Sequence, residues 1–307
     1  MMTAAMWLAL YGGALGWLAP PVLRRMTSGG VSPHMGVAAW LAALGATLIA
    51  WVATLALIIV AVADGVHDAE ALTLCLELFG LSDHTPLPGR IGSMALIAGG
   101  LLTLSIVAIR VGRSIADLRA RSHEHAHAAR IIGRPTNSPY VVVVDAVRPA
   151  AYCVIGRPNA IVVTSAAIDS LDRAQLEAVL AHEDAHISGR HHHILMVLRA
   201  LTFTLPRIPL FASANAAVAE LLEMCADDVA ARSVGTRPLL GGLLTLAGHG
   251  APLPDGLAAA GTAVISRALR LAIPTQRHTQ WRHRVALGAA MTVMLATPAL
   301  IQVLCHH

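Results

Sequence analysis

The stretch Leu176-Glu177-Ala178-Val179-Leu180-Ala181-His182-Glu183-Asp184-Ala185-His186 predicts the helix around which the rest of the fold is arranged. Asp172 and Gln175 precede it with the spacing of a helical capping box, and the helix is expected to end near Gly189. Two histidines four positions apart lie on one face of a helix, so both imidazoles can reach one metal ion. Glu183 lies one position along, where it can take a proton from a water molecule beside that ion.

The same His-Glu-x-x-His spacing also occurs in His123-Glu124-His125-Ala126-His127, and a chain with 16 histidines can match it by chance. This second stretch lies among arginines on a predicted polar helix, and no nearby carboxylate follows it. We therefore interpret it as a solvated histidine cluster. The stretch at His182 follows an apolar stripe instead, as expected of a helix buried against a sheet.

A zinc site needs a third protein ligand, and two residues compete for this role. Glu223 lies on a later predicted helix, with Asp227 four residues on, on the same face, placed to hydrogen-bond a ligand histidine. His192 would instead complete a His-Glu-x-x-His-x-x-Gly-x-x-His string, which is the ligand string of the metzincins. We favour Glu223, with Glu220 as the fallback ligand, because the chain becomes apolar directly after the histidines.

The composition is that of a membrane protein. The chain has 307 residues, of which 56% are hydrophobic and 13% charged, and its mean hydropathy is +0.64, whereas ordinary soluble domains are about 25% charged. These values exclude a disordered chain, a nucleic-acid-binding tail and a soluble protein of ordinary type. All 22 basic residues are arginines, which excludes lysine Schiff bases, P-loop lysines and Ser-x-x-Lys acylation sites.

Four uncharged stretches are long enough to cross a bilayer, which takes about 20 residues: residues 2–23, 36–63, 91–109 and 285–304. Arginines follow the first and third of these spans, whereas acidic residues dominate the loop after the second. Because basic loops stay in the cytoplasm, both termini and residues 64–90 are expected outside the cell membrane, and residues 113–284 inside. Cys75 and Cys305 then both lie outside, where we hypothesise that they form a disulfide.

Three parts are expected along the chain. Residues 1–112 hold three spans with their loops, residues 113–284 form a cytoplasmic domain, and residues 285–307 hold the fourth span and a short outer tail. Within the domain, β-branched runs predict strands at 140–144, 151–155 and 160–164. The apolar segment 194–211 is expected to be interfacial or re-entrant, bent at Pro206, because the residues on either side of it must share one ion.

Residues 151–193, followed by Glu223 to Asp227, resemble the BlaR/MecR-type membrane metallopeptidases, and more loosely those of the HtpX and Ste24 type. The order of three spans, an inner zinc domain and a fourth span is also similar to BlaR/MecR. The resemblance implies a gluzincin fold in which His182, His186 and Glu223 bind Zn²⁺ and Glu183 is the general base. It also implies a signal transducer that cleaves, or triggers loss of, a cytoplasmic DNA-binding repressor of antibiotic resistance genes.

We therefore expect an α-helical polytopic membrane protein with a cytoplasmic α+β zinc metallopeptidase domain of gluzincin type. Its expected partners are a protein or peptide substrate, such as that repressor, and the lipid bilayer, with no direct binding of nucleic acid. The BlaR/MecR sensors carry an outer penicillin-binding domain after the fourth span, whereas this chain stops at His307 and has no lysine, so we do not expect β-lactam sensing by acylation. The rival hypothesis is a signalling scaffold that binds a cytoplasmic regulator without cutting it. A transporter ranks last, because the spans carry no charged residue.

Overall fold

The structure is a computed structural model that describes residues 2–63, 89–136, 138, 140–248, 257–273 and 276–305. Most of the predicted outer loop, including Cys75, lies outside these residues. Cys305 forms no disulfide with another described cysteine, and the Cys75–Cys305 disulfide stays a prediction.

Helices make up most of the described chain. They are α1 Met2–Thr27, α2 Pro33–Ala63, α3 Gly89–Ile132, α4 Ser165–Ser170, α5 Arg173–Ser188, α6 His191–Thr204, α7 Pro209–Val234, α8 Thr236–Gly248, α9 Leu257–Ala272 and α10 Arg277–Cys305. The helix predicted around the His182 motif is confirmed as α5. Both hydrogen bonds of its capping box, between Asp172 and Gln175, are present.

A small mixed sheet stands beside α5. Its strands are β1 Arg134–Pro135, β2 Val141–Val144, β3 Ala151–Val154 and β4 Ala160–Thr164, in the order β1-β2-β4-β3. The three predicted strands are confirmed, and β3 and β4 form the expected antiparallel hairpin. β1 is not among the strands predicted from the sequence. Because β3 is at the end of the order, one of its edges is unpaired among the described strands.

The buried strand β4 holds the motif helix in place. All five of its residues are buried, as a run of β-branched side chains between two layers requires. Ile161 and Val163 pack with Val179 of α5 in one apolar cluster. The helix is thereby fixed on the sheet, with β3 running next to it.

Three described helices are long and apolar enough to cross a membrane: Thr3–Thr27, Pro33–Ala61 and Arg277–Cys305. They coincide with the first, second and fourth predicted spans, although α10 begins at Arg277 rather than near residue 285. The third predicted span, 91–109, lies in the first half of α3 and stays a prediction. The domain boundary predicted at 112–113 falls inside this continuous 44-residue helix.

The apolar hairpin of α1 and α2 packs directly on α7. Trp40 and Leu221 belong to one buried cluster that joins these helices, and Trp40 donates a hydrogen bond from Nε1 to Thr27 Oγ1 at 3.2 Å. A Cβ at Gly36 would lie 3.0 Å from Leu221 Cδ1, so the hairpin and α7 approach closely. The helix that carries Glu223 is therefore supported by two candidate membrane helices.

The segment 194–211 forms parts of two helices rather than one. α6 ends at Thr204, the chain turns over residues 205–208, and α7 begins at Pro209, which suits the first turn of a helix. α6 and α7 pack against each other, so the chain folds back between the histidine motif and Glu223. A bend near Pro206 was expected, and the position of this segment relative to a bilayer stays a prediction.

Candidate metal centre

Three donor groups from two helices converge at one point. α5 supplies His182 and His186, which lie one turn apart, and α7 supplies Glu223. Their ligand atoms all lie within 4.8 Å of one another. The two Nε2 atoms are 3.1 Å apart, and the Glu223 carboxylate lies 3.5 Å from Nε2 of His182 and 3.4 Å from Nε2 of His186. These are the three ligands expected from the sequence.

The donor set and its spacing fit a zinc ion. Zinc takes imidazole nitrogen and carboxylate oxygen ligands at about 2.0–2.2 Å in a tetrahedron, for which neighbouring ligand atoms are separated by about 3.3 Å. The observed separations of 3.1, 3.4 and 3.5 Å are close to this value, with Oε1 of Glu223 nearest to His186 and Oε2 nearest to His182. Three protein ligands leave the fourth position open, as in catalytic rather than structural zinc sites.

A buried ion-pair network holds the rear of this centre. Asp227 is fully buried and accepts two hydrogen bonds from Arg267 of α9, at 2.8 Å from Nε and 2.7 Å from Nη2. Arg267 Nη1 also lies 3.0 Å from Glu223. Burial alone raises the pKa of Asp227, but the hydrogen bonds from Arg267 and the nearby His182 ring outweigh it and lower the pKa to about 2.

Asp227 also faces a proposed ligand histidine, as the sequence predicted. Nδ1 of His182 lies 3.1 Å from Oδ1 of Asp227, although the alignment falls short of a hydrogen bond. Burial lowers the pKa of His182, but Asp227 and Glu223 reverse this and raise it to about 9. A negative pocket that stabilises a proton on His182 also suits a metal cation, which has the same sign of charge.

His191, for which the sequence predicts no role, lies against the second histidine and orients it. Its Nδ1 lies 3.0 Å from Nδ1 of His186, and burial lowers the pKa of His191, which favours a neutral ring that can accept a hydrogen bond. His186 protonated at Nδ1 then has its Nε2 lone pair free for a metal. A Cβ at Gly189 would lie 2.5 Å from His191 Nε2, so a glycine is needed there for the close approach.

Glu183 lies beside the three ligands and touches the edge strand. Its Oε2 accepts a hydrogen bond from the backbone N–H of Cys153 at 2.9 Å. Burial raises the pKa of Glu183 to about 7, which is the range suited to a general base at neutral pH. Burial and the Glu183 charge raise the pKa of Cys153 to about 12, so this thiol is protonated and is not a nucleophile.

A cavity of about 210 Å³ opens in front of the centre. His182, Glu183, Glu223 and Arg267 form its polar side. Its apolar side consists of Ala151, Val179, Leu239, Leu243 and Leu246. Water, a peptide carbonyl and one apolar side chain can therefore meet next to the three ligands.

The other candidate residues lie elsewhere. His192 faces His193, with 3.3 Å between their Nε2 atoms, and Glu220 lines a separate cavity beside α1. His123 is exposed on α3. Among the described residues, the group able to hold a metal is His182, His186 and Glu223.

No prediction from the sequence involved Arg267, which lies 40 residues beyond Asp227. The available signal was Arg267 and Arg270 three positions apart in an otherwise apolar helix, since buried arginines require acidic partners. Arg270 does pair with Asp228, at 2.5 Å. Both ion pairs therefore join α9 to α7.

Comparison with known proteins agrees with this geometry. No curated protein matches the chain, and no solved structure does. Residues 116–241 match the model of peptidase family M48. The matched range is less than half of the chain and contains the motif helix, Glu223 and Asp227, but not Arg267. This match, to a family of metal-dependent peptidases, supports an M48 family metallopeptidase.

Proposed function

We propose that this protein is a membrane-embedded, zinc-dependent endopeptidase of gluzincin type. The observation that carries the proposal is the convergence of His182, His186 and Glu223 at 3.1–3.5 Å from one another, with Glu183 beside them. The family match supports the peptidase activity. The choice of zinc rests on the two imidazoles and one carboxylate, which zinc prefers.

In this proposal, His182, His186 and Glu223 hold the ion. When bound, zinc supplies Lewis acidity, which makes water a stronger nucleophile at neutral pH and polarises a peptide carbonyl. Glu183 accepts the proton from the attacking water and passes it to the leaving amine. Its N–H contact with Cys153 fixes the carboxylate between the edge strand and the ligands.

Besides the zinc ion, Arg267 is a candidate for stabilising the negative charge that develops during the reaction. Its guanidinium pairs with Glu223 and Asp227 and also lines the cavity. A fixed positive charge at this place would stabilise the negative charge that develops on the attacked carbonyl oxygen. Arg267 also positions Asp227, whose carboxylate lies beside the His182 ring.

The substrate is proposed to bind along β3 by strand addition. In an antiparallel sheet, the N–H and C=O of one residue point to the same side. Since the Cys153 N–H points away from β4 to Glu183, the N–H and C=O of Ala151 and the C=O of Cys153 lie at the edge that a substrate strand can use. A peptide bonded there would pass over the centre, with an apolar side chain placed against Leu239, Leu243 and Leu246.

The finer proposal concerns the substrate and the membrane. The arrangement of arginines supports a zinc domain on the cytoplasmic side and termini outside. The substrate would then be a cytoplasmic protein, and the resemblance to BlaR/MecR suggests a DNA-binding repressor or another regulator. The exposed apolar side chains of α1, α2 and α10, such as Trp17, Ile49 and Leu304, would face lipid.

The test uses the purified full-length protein in detergent, a peptide library derived from a bacterial proteome, and mass spectrometry. Wild type is expected to bind one zinc and cut peptides, whereas Glu183→Gln keeps the zinc but loses at least about a hundredfold in rate. Asp184→Asn, at the exposed neighbouring position, is the matched control. Cleavage that persists in Glu183→Gln would disprove its role, and a zinc-loaded wild type that cuts nothing would favour the scaffold hypothesis.

The cytoplasmic substrate is tested in cells. Mass spectrometry of new protein N-termini is compared between cells that express wild type and cells that express Glu183→Gln. New termini in a cytoplasmic DNA-binding protein, found with wild type alone, are expected. New termini restricted to proteins outside the cell membrane would overturn the proposed orientation.

A further inference from the structure

A second cavity, of about 530 Å³, lies where α3, the β3–β4 turn, the end of α5 and the start of α6 meet. Three arginines and three histidines line it: Arg119, Arg157, Arg190, His123, His192 and His193. None of the described residues that line it is acidic. The cavity thus combines His123 of the second His-Glu-x-x-His stretch with His192 and His193, and none of these three has a role in the proposed metal centre.

The positive charges of the three arginines in this cavity are not neutralised by any described acidic residue. The described ion pairs involve Arg134, Arg267 and Arg270. In contrast, none of the cavity arginines makes an ion pair or side-chain hydrogen bond with another described residue. Arginine is charged at all physiological pH values and binds carboxylates through two parallel hydrogen bonds.

Burial and then the neighbouring positive groups lower the pKa of His192 to about 4. Its ring is therefore neutral at neutral pH, and the permanent positive charge of the cavity comes from the arginines. This cavity is suited to an anionic group.

The cavity lies a short distance along the chain from the cleft that holds the metal centre. Cys153 faces Glu183, and from there both flanking elements lead to the cavity. Ile155 is two residues further along the β3 segment, about 7 Å, and Ile187 is four residues further along α5, about 6 Å. Both Ile155 and Ile187 line the cavity. An extended peptide that lies over the centre therefore reaches the arginines within a few residues.

The direction of the peptide follows from its pairing with β3. Antiparallel pairing is the arrangement that β3 already has with β4, and it is the slightly more stable of the two. A peptide antiparallel to β3 has its N-terminal part toward the carboxyl end of the strand. That end leads through Ile155 and Gly156 into the cavity.

We propose that this basic cavity binds acidic side chains of the substrate, two to four residues on the N-terminal side of the bond that is cut. The inference rests on the proposed peptidase function and adds a substrate class to it. Exposed arginine–carboxylate contacts are each worth up to about fivefold in affinity. Because such contacts are not fully additive, we expect a combined preference of about tenfold for acidic over neutral peptides.

The first experiment compares cleavage sites in the proteome-derived peptide library for the full-length, zinc-loaded protein and two triple variants. Arg119→Gln/Arg157→Gln/Arg190→Gln removes the cavity charges. Arg121→Gln/Arg148→Gln/Arg173→Gln removes three exposed charges outside the cavity and is the matched control. Wild type and control are expected to enrich Asp and Glu at the stated positions, and the cavity variant is expected to lose the enrichment.

A binding measurement decides the question even where nothing is cut. Two fluorescein-labelled decapeptides differ only in having Glu-Glu-Glu or Gln-Gln-Gln before an Ala-Leu-Ala sequence. Their affinity for Glu183→Gln, alone and combined with each triple variant, is measured by fluorescence anisotropy at two salt concentrations. The acidic peptide should bind about tenfold more tightly at low salt, and only the cavity variant should remove the difference.

Three results would overturn the inference. The first is equal binding of both peptides to Glu183→Gln, and the second is acidic enrichment on the C-terminal side of the cut bond alone. The third concerns lipid and compares nanodiscs of anionic phosphatidylglycerol with nanodiscs of phosphatidylcholine. In this result, cleavage by wild type depends on phosphatidylglycerol, the cavity variant loses that dependence, and its preference for acidic peptides stays intact. The cavity would then be a site for lipid head groups. If the peptidase proposal alone fails, wild type cuts no peptide but the anisotropy difference remains.

Discussion

The buried pair of Asp227 and Arg267 provides the sharpest test of the network behind the metal centre. The Asp227 side chain is 0% exposed and that of Arg267 11%, and two hydrogen bonds of 2.7 and 2.8 Å join them. Removal of one partner leaves the other charge buried without its counter-ion. Asp227→Ala and Arg267→Ala are each expected to lower the free energy of unfolding by about 3–5 kcal/mol.

The double variant should cost far less than the sum of the two. Once both groups are gone, neither charge of this pair is left buried, and Glu223 and His182 still face each other at 3.5 Å. A coupling energy of about 2–4 kcal/mol is therefore expected from a double-mutant cycle. Asp228 and Arg270 join the same two helices and give a matched control pair. Their side chains are 27% and 15% exposed, and we expect a coupling of at most about 1 kcal/mol.

The assay is a guanidinium titration in detergent, followed by far-UV circular dichroism. EDTA is present throughout, because a variant that binds metal more weakly would otherwise lose stability through ligand binding as well. A coupling for Asp227 and Arg267 no larger than that of the control pair would refute the reasoning. It would mean that water or another group compensates the buried charges.

Three further predictions concern the centre itself. His191→Ala should weaken zinc affinity by about 10- to 100-fold, measured by competition with a chelator, whereas the exposed His193→Ala should leave it unchanged; equal effects would exclude an orienting role. Burial raises the pKa of Glu183 to about 7 from an ordinary 4.5, and a bound cation opposes that shift. We therefore expect kcat/KM to fall about tenfold per pH unit below a midpoint between these two values, because Glu183 must be deprotonated to accept a proton. A flat profile over that range would disprove the assignment. Glu223→Ala should abolish stoichiometric zinc in metal analysis and His192→Ala should not, and the reverse would favour the metzincin string.

Local patterns predicted the parts of the fold that depend on neighbouring residues. A carboxylate and an amide three positions apart cap α5, and β-branched runs of four to five residues form β2, β3 and β4. The third span was harder to delimit, because α3 continues without a break from its apolar part into its polar part. Hydropathy changes along this helix, but its backbone hydrogen bonding does not.

Local sequence alone places His182 and His186 on one face, because the pitch of a helix puts residues four apart on the same side. It also named Glu223 as the favoured third donor, but spacing alone could not choose between Glu223 and His192. The tertiary structure favours Glu223, because the packing of α5 against α7 brings it within 3.5 Å of the imidazoles and leaves His192 facing His193. Arg267 could be placed only by the structure, since its position depends on how three separate helices pack and no local periodicity records a contact made 40 residues away.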